Sequence, residues 1–139
     1  VTSTDDRRDP ERRLPADILA LADWREGEAA WRRPDLPRLA AAAASLGFAC
    51  SGGQVQVRLP EATAELYWQD FDPAEQRSSE DWPAFVARSW KEALFLAQGL
   101  PSDEILVEQA SRISGLEHVP HAELKACLWF ATYLQAPRS

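Results

Sequence analysis

The sequence predicts an α+β domain in which a small three-stranded antiparallel meander is flanked by two N-terminal and three C-terminal helices. Three observations carry this expectation. Apolar residues recur at helical spacing in the first and last thirds, residues 48–71 switch to alternation, and strands and helices are segregated along the chain instead of interleaved. A chain of 139 residues, 45% hydrophobic and with six Trp, can build one core and is too short for two comfortable ones. The expected organisation is a mobile tail over 1–13 and one domain over 14–136.

Residues 1–13 alternate acids with Arg and hold one apolar residue, Val1, so they have no face to bury. Leu14, Ile18, Leu21, Trp24 and Trp31 then fall at helical spacing up to Pro34, which predicts a first helix over 15–32. Asp35 as N-cap, Pro37 in the first turn, a stripe of Leu36, Leu39, Ala40, Ala43 and Leu46, and Gly47 at the end define a second helix.

The period changes after Gly47. Ser51-Gly52-Gly53 reads as a hairpin turn, followed by Val55, Val57 and Leu59 on one face of a strand. The stretch from Ala62 to Phe71 alternates as a third strand, with Ala64, Leu66 and Trp68 facing inward and Glu65, Tyr67 and Gln69 outward. Residues 70–81 read as an exposed charged loop.

Asp81 caps a long helix in which Trp82, Phe85, Val86, Ser89, Trp90, Ala93, Leu94 and Ala97 form the apolar stripe, closed by Gly99 and Pro101. Ser102 caps a shorter helix through Leu106, Ala110 and Ile113 to Gly115. A last helix is expected from Pro120, with Leu124, Cys127, Leu128, Ala131 and Leu134 on one face and Trp129, Phe130 and Tyr133 widening it. A helix apolar on most sides belongs in a core or an interface between copies.

Fifteen basic against 22 acidic residues, a formal charge of −7, is the wrong sign for a phosphate backbone, so nucleic acid is not an expected partner. No apolar stretch is long enough for a membrane span. Two Cys far apart in sequence do not make a disulfide framework, and a cytoplasmic setting follows by elimination. There is no GxSxG, Walker or GxGxxG pattern, and the chain is not expected to be an enzyme. Glu117, His118, His121, Glu123 and Cys127 are potential metal ligands, but the HxxH spacing with Pro120 between does not match a metal motif, and no metal or cofactor is expected.

The acidity is localised. Residues 61–81 hold seven acids and one base, Arg77, interleaved with aromatics. Interfaces place aromatic anchors centrally and charge at the rim, so this segment is expected to bind a protein with a basic surface. In that reading Glu65, Asp70, Asp72 and Glu75 supply charge and Tyr67 and Phe71 are the anchors. The most concrete form is an immunity or antitoxin-type inhibitor. Two alternatives are a small-ligand binder or enzyme using His118 or His121 near the last helix, and an assembly or scaffold subunit that self-associates through that helix.

Overall fold

The computed structural model describes residues 9–137 and has an α+β architecture. Five helices, α1 (Ala16–Leu19), α2 (Leu36–Ser45), α3 (Trp82–Gln98), α4 (Asp103–Ala110) and α5 (His121–Ala126), accompany one antiparallel sheet. Its strands are β1 (Asp23–Arg25), β2 (Glu28–Trp31), β3 (Ala49–Arg58), β4 (Thr63–Asp70) and β5 (Leu128–Gln135), in the spatial order β1-β2-β5-β3-β4. The sheet therefore has five strands where the alternation pattern predicts three. Of the tail expected over 1–13, residues 1–8 lie outside the described residues, whereas Pro10–Arg13 form a 3-10 turn. Glu11 fastens that turn by accepting the Leu134 N–H at 2.9 Å.

Three expectations are corrected. The helix over 15–32 is a single turn, α1, followed by the β1–β2 hairpin. Glu26 and Gly27 both adopt positive φ, 52° and 80°, which gives the two-residue turn whose twist suits a hairpin. Trp24 and Trp31 share a face there because cross-strand pairing aligns them, not because of helical spacing. The Ser51-Gly52-Gly53 hairpin turn is absent: these residues continue through β3, and Gly53 pairs with Thr132 of β5.

The last helix stops after one and a half turns, and Leu128–Gln135 is the central strand of the sheet. Apolar residues on both sides of this segment reflect a strand whose residues are buried or half-buried on both faces. The surface expected for self-association through a C-terminal helix is therefore inside the sheet.

The helices that read well from sequence are those with explicit ends. Asp81 accepts from the Ala84 N–H at 2.8 Å and Ser102 from the Ile105 N–H at 3.4 Å, satisfying amides that a helix start leaves free. Their stripes pack on one face of the sheet, where Val55, Val57, Leu66, Leu128 and Phe130 meet Leu39, Phe85, Trp90, Ala93 and Leu106. Trp31 and Trp90, both buried, place their indole N–H groups on the carbonyls of Ile18 (3.1 Å) and Phe48 (2.8 Å). No helix among the described residues is long and apolar enough to cross a membrane.

Candidate functional site

Alternation sends the other residues of each strand to the opposite face of the sheet. Asp23 and Arg25 of β1, Glu28 of β2, Gln54, Gln56 and Arg58 of β3, Thr63 and Glu65 of β4, and Tyr133 of β5 lie there, as the cross-strand register requires. In β3, the alternation of Val with Gln and Arg divides an apolar from a polar face.

Arg25 of β1 reaches the far end of the sheet, where its guanidinium donates to the Leu59 and Ala62 carbonyls and the Thr63 hydroxyl. Arg58, with a side chain only 1% exposed, donates from Nε to Gln56 Oε1 (2.9 Å) and from Nη1 to the Asp23 carbonyl (2.8 Å), Asp23 Oδ2 (3.0 Å) and the Glu28 carbonyl (3.3 Å). These bonds draw the β1–β2 hairpin and the β3–β4 turn toward each other and leave a cavity of about 860 Å³ between them. Gln56 and Arg58 lie at its base, with Glu28, Glu65 and Tyr67 around it.

Two carboxylates meet at Gln56. Its Nε2 donates to Glu28 Oε1 at 3.1 Å and, at the long limit, to Glu65 Oε1 at 3.4 Å. Tyr133 also donates its hydroxyl to Glu28 Oε1, at 2.8 Å. Burial, followed by this bond to a carboxylate, pushes the Tyr133 phenol up to about 12, so it stays a donor. Among the described residues, neither Glu28 nor Glu65 has an arginine or lysine within ion-pair distance.

A second cavity, about 350 Å³, continues along the same face past Tyr67 and is bordered by Gln54, Tyr133, Asp70 and Asp72. Glu65, Tyr67, Asp70 and Asp72 are thus brought together along one groove. Tyr67 is 73% exposed and borders both cavities. Beyond the pair Val55 and Leu66, the next matched pair is Gln54 and Asp70, so Tyr67, Trp68 and Gln69 bulge from the edge strand. The bulge breaks the alternation and turns Trp68, expected in the core, outward to 45% exposure, its ring edge-on to Tyr67 at 5.1 Å. Trp68 Nε1 and Gln69 Nε2 both donate to Gln109 Oε1, at 2.8 and 2.9 Å.

Phe71 is corrected: it is 1% exposed and belongs to the core, against Phe130. It follows the bulge, which shifts the strand's phase and sends it inward. Glu75 lies apart from the groove, bordering a separate cavity with Cys50, Ser51 and Phe85. Its loop is held by Arg88, which donates to the Ala74 and Glu75 carbonyls and pairs with Glu80. The residues that the sequence reading misses here are Arg25, Glu28, Gln56, Arg58 and Tyr133. Alternation places Gln54, Gln56 and Arg58 on the face of β3 opposite Val55 and Val57, but no local pattern marks Gln56 and Arg58 as buried.

The histidines stand elsewhere. His121 borders a small cavity of about 170 Å³ beside the Lys125–Glu104 ion pair, and His118 is exposed. No group of three metal-ligating side chains is formed among the described residues. Cys50 is buried, and desolvation pushes its thiol up to about 12, away from a nucleophilic thiolate. Ser51 uses its hydroxyl to donate to the Tyr133 carbonyl. No protein-family model, curated protein or solved structure matches this chain.

Proposed function

We propose that this chain is a protein-binding module whose polar sheet face covers a basic surface of another protein. The observation that carries this reading is a groove left open by the helices, lined by carboxylates without cationic partners among the described residues and centred on exposed Tyr67. Aromatic anchors surrounded by charge suit a partner of opposite sign, because the charges steer encounter and the ring supplies buried contact area. Trp68 takes the place of Phe71 as the second aromatic contact. An immunity or antitoxin-type inhibitor is the most concrete version, since covering a positively charged active site needs this kind of face. The two free cysteines support a cytoplasmic setting for it.

The test is capture of a native partner by the wild-type chain and by a charge-reversed variant, Glu61→Lys with Glu65→Lys and Asp70→Lys. All three positions are exposed, so circular dichroism should show an unchanged fold. The expected result is a basic partner retained by the wild type and lost by the variant. Equal recovery of the same partner by both would remove the acidic face from the binding role.

A further inference from the structure

We propose that the larger cavity of the groove is a receptor for one arginine side chain presented by an extended segment of the partner. This rests on the binding role above and names its chemistry. The cavity combines three features in a space of about 860 Å³. The carboxylates of Glu28 and Glu65 both reach the Gln56 amide, so their oxygens are within two hydrogen-bond lengths of each other, the span that a guanidinium fork bridges. Tyr67 stands beside them with its ring free to lie over a planar cation.

Arg58 is the third feature. Its side chain is almost wholly buried, and its Nε and Nη1 are spent on Gln56, Asp23 and Glu28. With the side chain this enclosed, Arg58 forms a fixed floor under the two carboxylates. Two carboxylates held over that floor fit a guanidinium that bridges Glu28 and Glu65. Lysine would satisfy the carboxylates as a point charge but could not bridge them as a fork or stack on Tyr67 through a flat face. A simple anion is disfavoured because the glutamates stand beside Arg58.

The experiment is a titration of N-acetyl-arginine methylamide into the isotopically labelled full chain, following the Gln56 side-chain amide by NMR. Its citrulline and lysine counterparts serve as comparison probes. The expected result is a saturable shift at Gln56 with the arginine probe, none with citrulline, and weaker binding of lysine. Glu65→Gln should weaken arginine binding about tenfold, the scale of one charge-assisted hydrogen bond, and Tyr67→Ala should weaken it as well. Both residues are exposed, so the remaining amide shifts should report an intact fold in each variant. The proposal is overturned by absence of saturation at Gln56, by equal binding of citrulline, or by a Glu65→Gln variant that binds like the wild type. Shifts confined to Asp70 and Asp72 that disappear with salt would also overturn it. That outcome leaves the broader acidic-face role standing, because the capture experiment judges that role independently.

Discussion

The ring of Phe71 rests on the backbone of Gly53, so closely that a Cβ on Gly53 would stand 2.1 Å from Phe71 Cε2. The Phe71 N–H donates to the Gly53 carbonyl at 3.0 Å, and Asp72 Oδ1 accepts from the Gly53 N–H at 2.9 Å. Gly53 therefore serves close approach inside a strand. This contact joins the end of the bulged edge strand to the middle of the sheet and sets where Asp70 and Asp72 stand on the groove.

Gly53→Ala is expected to lower stability by about 3 kcal/mol, the upper part of the range for overpacked sites, because the buried ring has nowhere to retreat. Phe71→Ala should cost about 3–5 kcal/mol through the cavity it leaves. Urea denaturation measures both. A Phe71→Ala protein of wild-type stability would contradict its place in the core.

Arg58→Met tests the polar network beneath the groove. It leaves Gln56 Oε1 and the Asp23 and Glu28 carbonyls without their buried donor, and a loss of about 3–5 kcal/mol is expected, as for other broken buried charge networks. The same denaturation series checks it. Near-neutral behaviour would mean that water replaces the guanidinium without penalty.

Tyr67→Ala separates binding from folding. With the ring 73% exposed, stability should change by no more than about 0.5 kcal/mol. Affinity for the captured partner should fall by about 2 kcal/mol, as for a central aromatic contact. Calorimetry with the isolated partner, beside thermal melts, reads the two effects apart.

Acid sensitivity should come from the loop clamp. The Arg88 side-chain hydrogen bond holds the Glu80 carboxyl at about 2, below its ordinary 4.5. The unfolded chain therefore takes up that proton first as pH falls. The stability from this pair is present above 4.5 and is lost as pH drops toward about 2. Glu11 acts in the opposite sense: burial raises its carboxyl above 4.5, so the folded state binds the proton more tightly and its contribution declines as pH rises. Arg88→Gln should flatten the acid limb of a stability-versus-pH curve, and Glu11→Gln should raise stability near neutral pH. An acid limb unchanged in Arg88→Gln would reject the clamp.

Half of the groove was legible in the sequence. Glu65, Tyr67, Asp70 and Asp72 lie within one acidic, aromatic stretch, and alternation pointed Glu65 and Tyr67 outward correctly. Glu28 and Tyr133 were not legible because they lie 105 residues apart and meet only through pairing of β2 and β5 with their neighbours. Arg58 was not legible either, since its burial depends on acceptors from Asp23 and Glu28 in a segment whose periodicity mimicked a helix. Trp68 and Phe71 exchanged roles because a bulge changes the phase of a strand, and an alternation rule has no means of placing a bulge.

Features governed by neighbours along the chain are readable from the amino acids alone. The α+β class and helices α2, α3 and α4 belong here, with the caps at Asp81 and Ser102, the edge strand β4 and the concentration of acid from Glu61 to Asp81. Each follows from a local rule: a side chain that satisfies a free amide, a 3.6-residue stripe, or alternation. Long-range packing makes Leu128–Gln135 the central strand, turns a hairpin at Glu26 and Gly27, and seats a ring on Gly53. A stretch of eight residues with six apolar satisfies a helix or a buried strand equally until partners are present on both edges to take its backbone hydrogen bonds. The groove, which needs all five strands in that order, exists only once those long-range pairings are made.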